Sequence, residues 1–93
     1  MAIKKNINFK KERKKDMRLI NKEDITRFAN NEQLDFDNDT NLINILNLDS
    51  LGIFNFVLYL EETTTIDFFN NNVDNSDIKT IECINQFIQK TDL

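Results

Sequence analysis

The chain has no histidine and no proline, and it has a single glycine and a single cysteine. Without histidine there is no Ser–His or Cys–His pair to activate a nucleophile, and no imidazole to bind a metal ion. One glycine excludes a glycine-rich phosphate loop. The lone Cys83 cannot form an internal disulfide, which favours a reducing, cytoplasmic setting. We therefore expect a protein without catalytic residues and without metal ligands.

The length and hydropathy of the chain predict one small domain. Its 93 residues, of which 40% are hydrophobic, suffice for a single modest core. No apolar run reaches the roughly 18 residues that a membrane span needs, so we expect no membrane association. The basic stretch from Met1 to Asp16 lacks the apolar segment of a signal peptide, and we expect none. Because proline is absent, the turns must use Asn and Asp.

Charge divides the chain into two parts. Residues 1–18 hold eight Lys or Arg and two acids, a net charge of +6, whereas residues 19–93 hold four Lys or Arg and fourteen acids, a net charge of −10. This predicts a flexible basic N-terminal extension, residues 1–18, before one domain, residues 19–93. The extension is either a solvated tail, a docking arm for an acidic partner, or a weak nucleic-acid contact. The acidic domain argues against nucleic acid, because it would repel phosphates.

Hydrophobic periodicity predicts an all-α fold with three long helices and one short helix. The expected elements are, in chain order, a helix from about Asn21 to Asn31 (or from near Asp16), a long loop over residues 32–49, a helix from about Ser50 to Glu62, a loop with a short helix over residues 63–77, and a final helix from near Asp77. The residues expected in the core are Ile25, Phe28, Phe36, Leu42, Ile45, Leu46, Ile53, Phe56, Val57, Leu60, Phe68, Phe69, Ile78, Ile81, Ile84, Phe87 and Ile88. Cys83 lies off the centre of the last apolar stripe, and we interpret it as a passive small residue.

Three acids in the long loop, Asp35, Asp37 and Asp39, are spaced like the start of a calcium-binding loop. Thr40 stands where such a loop needs glycine, and Leu46 stands where it needs a bidentate glutamate. We therefore interpret these acids as part of a solvated turn.

The helix after Ser50 is apolar on nearly every side. Beside the core stripe it has a second apolar stripe, formed by Leu51, Phe54 and Leu58 and flanked by Asn55. A helix in so small a domain cannot bury every face against its own core. The second stripe is either additional core, a dimer contact, or a surface that binds partner enzymes.

The segment Leu48-Asp49-Ser50-Leu51 places a serine where a polar loop gives way to this apolar helix. It resembles the phosphopantetheine attachment site of acyl and peptidyl carrier proteins, in which the serine of an Asp-Ser-Leu motif carries a thiol-terminated arm. The loop from Phe36 to Leu42 and the segment from Ile78 to Ile88 also resemble the long first loop and the closing helix of that family. The resemblance covers about residues 19–90.

The resemblance implies a small four-helix carrier bundle with 4'-phosphopantetheine attached covalently to Ser50. A phosphopantetheinyl transferase would take the arm from coenzyme A with magnesium, and Asp49 would contribute to recognition by that enzyme. Leu51 would make an apolar contact beside the arm. Acyl- or aminoacyl-loading and synthase enzymes would then bind the helix, and the protein would act as a monomeric shuttle, not as an enzyme.

One departure from the family concerns the charge of this helix. Gly52 and Asn55 stand where carrier proteins of general fatty acid synthesis often have acids. This favours a dedicated carrier of a polyketide, nonribosomal peptide or specialised fatty-acid pathway, bound through apolar fit. The alternative is a helical adaptor that binds a protein through the second stripe, with Ser50 as a plain helix cap.

Overall fold

The part of the chain that the structure describes, residues 18–91 of a computed structural model, is all-α, and no β-strand occurs within it. Its helices are α1, Lys22–Ala29; α2, Leu42–Ile45; α3, Ser50–Thr64; and α4, Ile81–Thr91. Two 3-10 turns, Phe69–Asn71 and Asn75–Asp77, lie between α3 and α4. The predicted helical class is therefore confirmed. The predicted basic extension lies outside the described residues, apart from Arg18.

Helix α1 begins where its capping residues predict. The Asn21 side chain accepts a hydrogen bond from the Asp24 N–H at 3.0 Å, and the Asp24 carboxylate accepts one from the Asn21 N–H at 3.0 Å. This reciprocal capping box satisfies two N–H groups that the first turn leaves free. Residues 18–20 are not helical, so the alternative start near Asp16 is wrong for the described chain. Asn30 ends the helix in a left-handed conformation, with φ of 55°.

The segment before α1 is fastened to the rest of the domain at two points. The Asn85 side chain of α4 accepts from the Ile20 N–H at 2.7 Å and donates to the Ile20 carbonyl at 3.0 Å. Arg18 donates to the fully buried carboxylate of Asp24 at 2.6 Å, and this hydrogen bond raises the pKa of the Arg18 guanidinium. Asn85 and Arg18 are therefore the two points at which this segment is held.

One continuous core joins the helices and the connecting segments, as the periodicity predicts. The buried hydrophobic residues are Ile20, Ile25, Phe36, Leu42, Phe56, Val57, Leu60, Phe68, Ile78, Ile81, Ile84, Phe87 and Ile88. Phe28, Ile45, Leu46 and Ile53 are partly buried and pack against this cluster. Phe28 connects α1 to α3, because its ring lies 4.9 Å from that of Phe56 and 5.2 Å from that of Tyr59. Of the predicted core residues, only Phe69 is exposed.

The described chain has a short helix, α2, that the sequence does not predict. Helix α2 lies within the predicted long loop and is capped by Asn41, whose side chain accepts from the Asn44 N–H at 3.2 Å. After α3, where the sequence predicts a short helix, the described chain forms two 3-10 helices and no α-helix. Thr65 ends α3 in a left-handed conformation with φ of 63°, and Asn72 has φ of 59°. These left-handed residues interrupt the backbone before an α-helical turn can propagate.

Helix α4 begins at Ile81, four residues later than Asp77, where the sequence predicts it. Asp77 belongs to a 3-10 turn, in which its carboxylate accepts from the Asp74 N–H at 2.9 Å. Thr80 caps the first turn of α4, because its hydroxyl accepts a hydrogen bond from the Cys83 N–H at 3.0 Å. Ile78 reaches the core from the bend between these elements.

No helix in residues 18–91 has the length and apolar character that crossing a bilayer requires.

Candidate functional site

The site is built at the first turn of α3, which Asp49 caps. The Asp49 backbone is extended, and its side chain accepts a hydrogen bond from the Gly52 N–H at 2.8 Å. The Asp49 carbonyl accepts the first helical bond, from the Ile53 N–H at 2.8 Å. Asp49 thus occupies the N-cap position, and its negative charge interacts favourably with the positive end of the helix dipole.

Ser50 is the first residue inside α3, and it is exposed. Its hydroxyl makes no hydrogen bond to any group in residues 18–91. The alternative interpretation of Ser50 as a plain helix cap is therefore wrong, because Asp49 performs that role. The Ser50 hydroxyl is left available for a bond to a group from outside.

Gly52 is explained by the cap itself. A Cβ atom at Gly52 would lie 3.2 Å from the Asp49 Oδ1 and 3.2 Å from the Leu48 Cδ2. Both distances are shorter than ordinary van der Waals contact, so a larger residue would crowd the carboxylate that caps the helix. Glycine leaves room for the Asp49 side chain to fold over the first turn.

The second apolar stripe of α3 is exposed. The exposed fraction is 66% for Leu51, 49% for Phe54 and 39% for Leu58, and Asn55 beside them is also exposed. The interpretation of this stripe as additional core is therefore wrong. Three large apolar side chains on one helix face, one turn apart, form a surface suited to contact with another molecule.

A groove of about 190 Å³ opens beside Ser50. One wall is α3, through Ser50, Ile53, Phe54 and Val57, and the other is the segment between α3 and α4, through Phe69, Val73, Asp74, Asn75 and Ile78. Most of these side chains are apolar. The structure thus brings the predicted site residues Ser50 and Phe54 to one groove, whereas Leu51 and Leu58 do not line it.

Phe69 is a site residue that the sequence interpretation misses. The sequence predicts Phe68 and Phe69 together in the core, but Phe68 is fully buried while Phe69 is 40% exposed. Phe68 stacks on Phe87, with ring centroids 5.0 Å apart, whereas Phe69 contacts Phe54 across the groove at 5.3 Å. Adjacent residues of a 3-10 turn point in directions about 120° apart, so they cannot both face the core.

The electrostatic character of the site is acidic. No Lys or Arg occurs between residues 28 and 78, which include α3 and both walls of the groove. A phosphate at Ser50 would therefore be stabilised by the free N–H groups and the dipole of the α3 N-terminus, and it would be repelled by the neighbouring Asp49 carboxylate.

The acids of the long loop belong to a turn that does not line the groove, in which the Thr40 hydroxyl accepts a hydrogen bond from the Asp37 N–H at 2.8 Å.

Comparisons with protein-family models, with curated proteins and with solved structures found no match to this chain. A functional proposal must therefore rest on the site residues and their geometry.

Proposed function

We propose that this protein is a discrete acyl or aminoacyl carrier, with an acyl-carrier-like helical bundle and a 4'-phosphopantetheine arm on Ser50. The observation that carries the proposal is the free hydroxyl of an exposed serine at the N-terminus of α3, in an Asp-Ser-Leu sequence, with the helix cap supplied by the preceding aspartate.

The division of roles between Asp49 and Ser50 supports modification. If Ser50 were the cap, a bond to its Oγ would disturb the hydrogen bond that begins the helix. Because Asp49 holds the Gly52 N–H, Ser50 can be esterified without loss of the cap. A phosphodiester there would also lie at the helix end that favours an anion.

The chain has no histidine, and no Lys or Arg lies between residues 28 and 78, so Ser50 has no basic side chain near it in sequence to activate its hydroxyl. This is in keeping with a protein that is a substrate of a separate transferase. When attached, the arm supplies a thiol that holds cargo as a thioester, and tethering raises the local concentration of that cargo at partner active sites. The groove beside Ser50 offers apolar surface to a cargo chain.

The exposed stripe of α3 would be the surface for the transferase and for loading and synthase enzymes. With Gly52 and Asn55 in place of acids, apolar fit would select the partners, which favours a dedicated carrier of a polyketide, nonribosomal peptide or specialised fatty-acid pathway. Phe54→Ala is expected to slow transfer by a cognate partner and to leave the fold intact, because Phe54 is 49% exposed. Unchanged transfer would remove the role assigned to the stripe.

The test is the intact mass of the protein after incubation with coenzyme A, magnesium and a broad-specificity phosphopantetheinyl transferase. The chain has two serines, Ser50 and Ser76, and both are exposed. We expect a gain of one phosphopantetheinyl group in the wild type and in Ser76→Ala, and no gain in Ser50→Ala. No gain in a folded wild-type sample would refute the carrier function.

A second candidate function is that of a helical adaptor, and the exposure of Leu51, Phe54 and Leu58 is the observation that favours it. An adaptor would bind its partner through these side chains without modification. Ser50→Ala would then leave partner binding unchanged, while Leu58→Ala would weaken it.

A further inference from the structure

We infer that Phe54 and Phe69 form a gate across the groove beside Ser50, and that Glu61 holds the gate closed. This inference rests on the proposed function, because the molecule that the gate admits is an apolar acyl chain tethered through Ser50. It assigns roles to Phe69 and Glu61 in controlling access to the groove.

The contact between the two phenylalanines joins the two walls of the groove. Phe54 belongs to α3 and Phe69 to the first 3-10 turn, and their ring centroids lie 5.3 Å apart. Phe54 follows Ser50 by four residues, so the two lie on the same helix face, one turn apart. A chain that extends from Ser50 along the groove therefore meets this aromatic pair.

A hydrogen bond from α3 sets the position of Phe69. The Glu61 carboxylate accepts from the Phe69 N–H at 3.1 Å. Glu61 lies two helical turns beyond Phe54, so α3 carries both one half of the gate and the group that holds the other half. The neighbouring Glu62 is exposed and makes no hydrogen bond or ion pair within residues 18–91.

The turn that carries Phe69 is closed by its own hydrogen bonds, from the Asn71 and Val73 N–H groups to the Phe68 carbonyl and from the Asn72 N–H to the Phe69 carbonyl. It lies between two residues with positive φ, Thr65 at 63° and Asn72 at 59°. Phe68 anchors the turn in the core, whereas Phe69 is 40% exposed. Outside its own turn, Phe69 is held by its contact with Phe54 and by the hydrogen bond to Glu61. Phe69 can therefore swing away from Phe54 while the buried core stays in place.

Loss of one such hydrogen bond is expected to shift the ratio of closed to open gate by roughly threefold to tenfold. The first measurement uses the unmodified protein and follows hydrogen exchange of the Phe69 amide by NMR. In Glu61→Ala we expect protection of this amide to fall by about that factor. In the matched control Glu62→Ala, protection should equal that of the wild type. Equal protection in Glu61→Ala and the wild type would overturn the role of Glu61.

The second measurement loads the wild type, Glu61→Ala, Glu62→Ala and Phe69→Ala with arms that carry an octanoyl or an acetyl group in amide linkage. The readout is the difference in methyl chemical shift between the two cargoes at Val57 and Val73, which line the groove. We expect larger differences in Glu61→Ala and Phe69→Ala than in the wild type and Glu62→Ala. Equal differences in all four proteins would overturn the gate.

Failure of the gate and failure of the carrier function are distinguishable. If no variant accepts the arm, the proposed function is wrong, whatever the gate does. Titration of the unmodified proteins with octanol, read at the same Val57 and Val73 methyl groups, then decides the gate by the same comparison. An equal response in the wild type and Glu61→Ala would refute it.

Discussion

The assignment of the α3 cap to Asp49, with Ser50 left free, can be tested by the stability of two neighbouring alanine variants. Asp49→Ala removes the acceptor that lies 2.8 Å from the Gly52 N–H. Loss of an N-cap side chain costs about 1 kcal/mol of the free energy of unfolding, and this includes the loss of a charge that favours the helix dipole. Because α3 contributes Phe56, Val57 and Leu60 to the core, fraying of its first turn should lower global stability.

Ser50→Ala should behave differently. The Ser50 hydroxyl makes no hydrogen bond within residues 18–91, so its removal costs nothing at the cap. Alanine is also a better helix former than serine, and stability should stay the same or rise by a few tenths of a kcal/mol, at most about 0.5. Asp49→Asn keeps an oxygen acceptor and should lie between the two alanine variants.

Urea denaturation followed by far-UV circular dichroism measures these differences as shifts of the midpoint at constant slope. A loss of about 1 kcal/mol corresponds to a fall of roughly 4–8 °C in the thermal midpoint of a domain of this size. If Ser50→Ala lost as much stability as Asp49→Ala, Ser50 would share the cap. The Ser50 hydroxyl would then not be free for modification.

Three further predictions use the same denaturation assay. Asp24→Ala should cost about 1.5–3 kcal/mol of the free energy of unfolding, because it removes a fully buried acceptor and leaves Arg18, whose side chain is 42% exposed, accessible to water. A cost of about 4–5 kcal/mol, as for an orphaned buried charge, would mean that Arg18 is not solvated. Asn85→Ala should cost about 1–3 kcal/mol, since both hydrogen bonds to the Ile20 backbone are lost, and no change would mean that water replaces them. Thr65→Asn should raise stability by about 0.5–1 kcal/mol, because asparagine tolerates a φ of 63° better than a β-branched residue, and a loss would locate the strain elsewhere.

The helices and the core could be predicted because their information is local and periodic. The pair Asn21 and Asp24 satisfies the first turn of α1 by itself, and the isoleucines of α4 repeat at helical spacing. The exposure of Leu51, Phe54 and Leu58 was also foreseeable, since a small domain cannot bury every face of one helix. The start of α4 was missed because Ile78 continues its apolar spacing, although Asp74 and Asp77 form a separate turn.

The groove could not be predicted, because its second wall depends on backbone conformation. Whether Phe68 or Phe69 faces the core depends on the path of the backbone between the end of α3 at Thr65 and the end of the 3-10 turn at Asn72, and both of these residues have positive φ. Asparagine gives a weak sequence indication of such a conformation, and threonine gives none. The hydrogen bond from the Phe69 N–H to Glu61 could not be predicted either, because it spans eight residues and matches no helical spacing.

In α3, the side chains that stabilise the fold are different from those of the exposed stripe. The described residues form a continuous core that includes Phe56, Val57 and Leu60, so the fold does not need Leu51 or Leu58. These side chains are therefore left free on the surface, which both the proposed carrier and the adaptor would require. The carrier and the adaptor both use this stripe, but only the carrier uses Ser50. A variant that loses modification and keeps partner binding would therefore assign the serine to the carrier role and the stripe to recognition. If the wild-type protein binds its partner and Ser50 cannot be modified, the protein would be an adaptor.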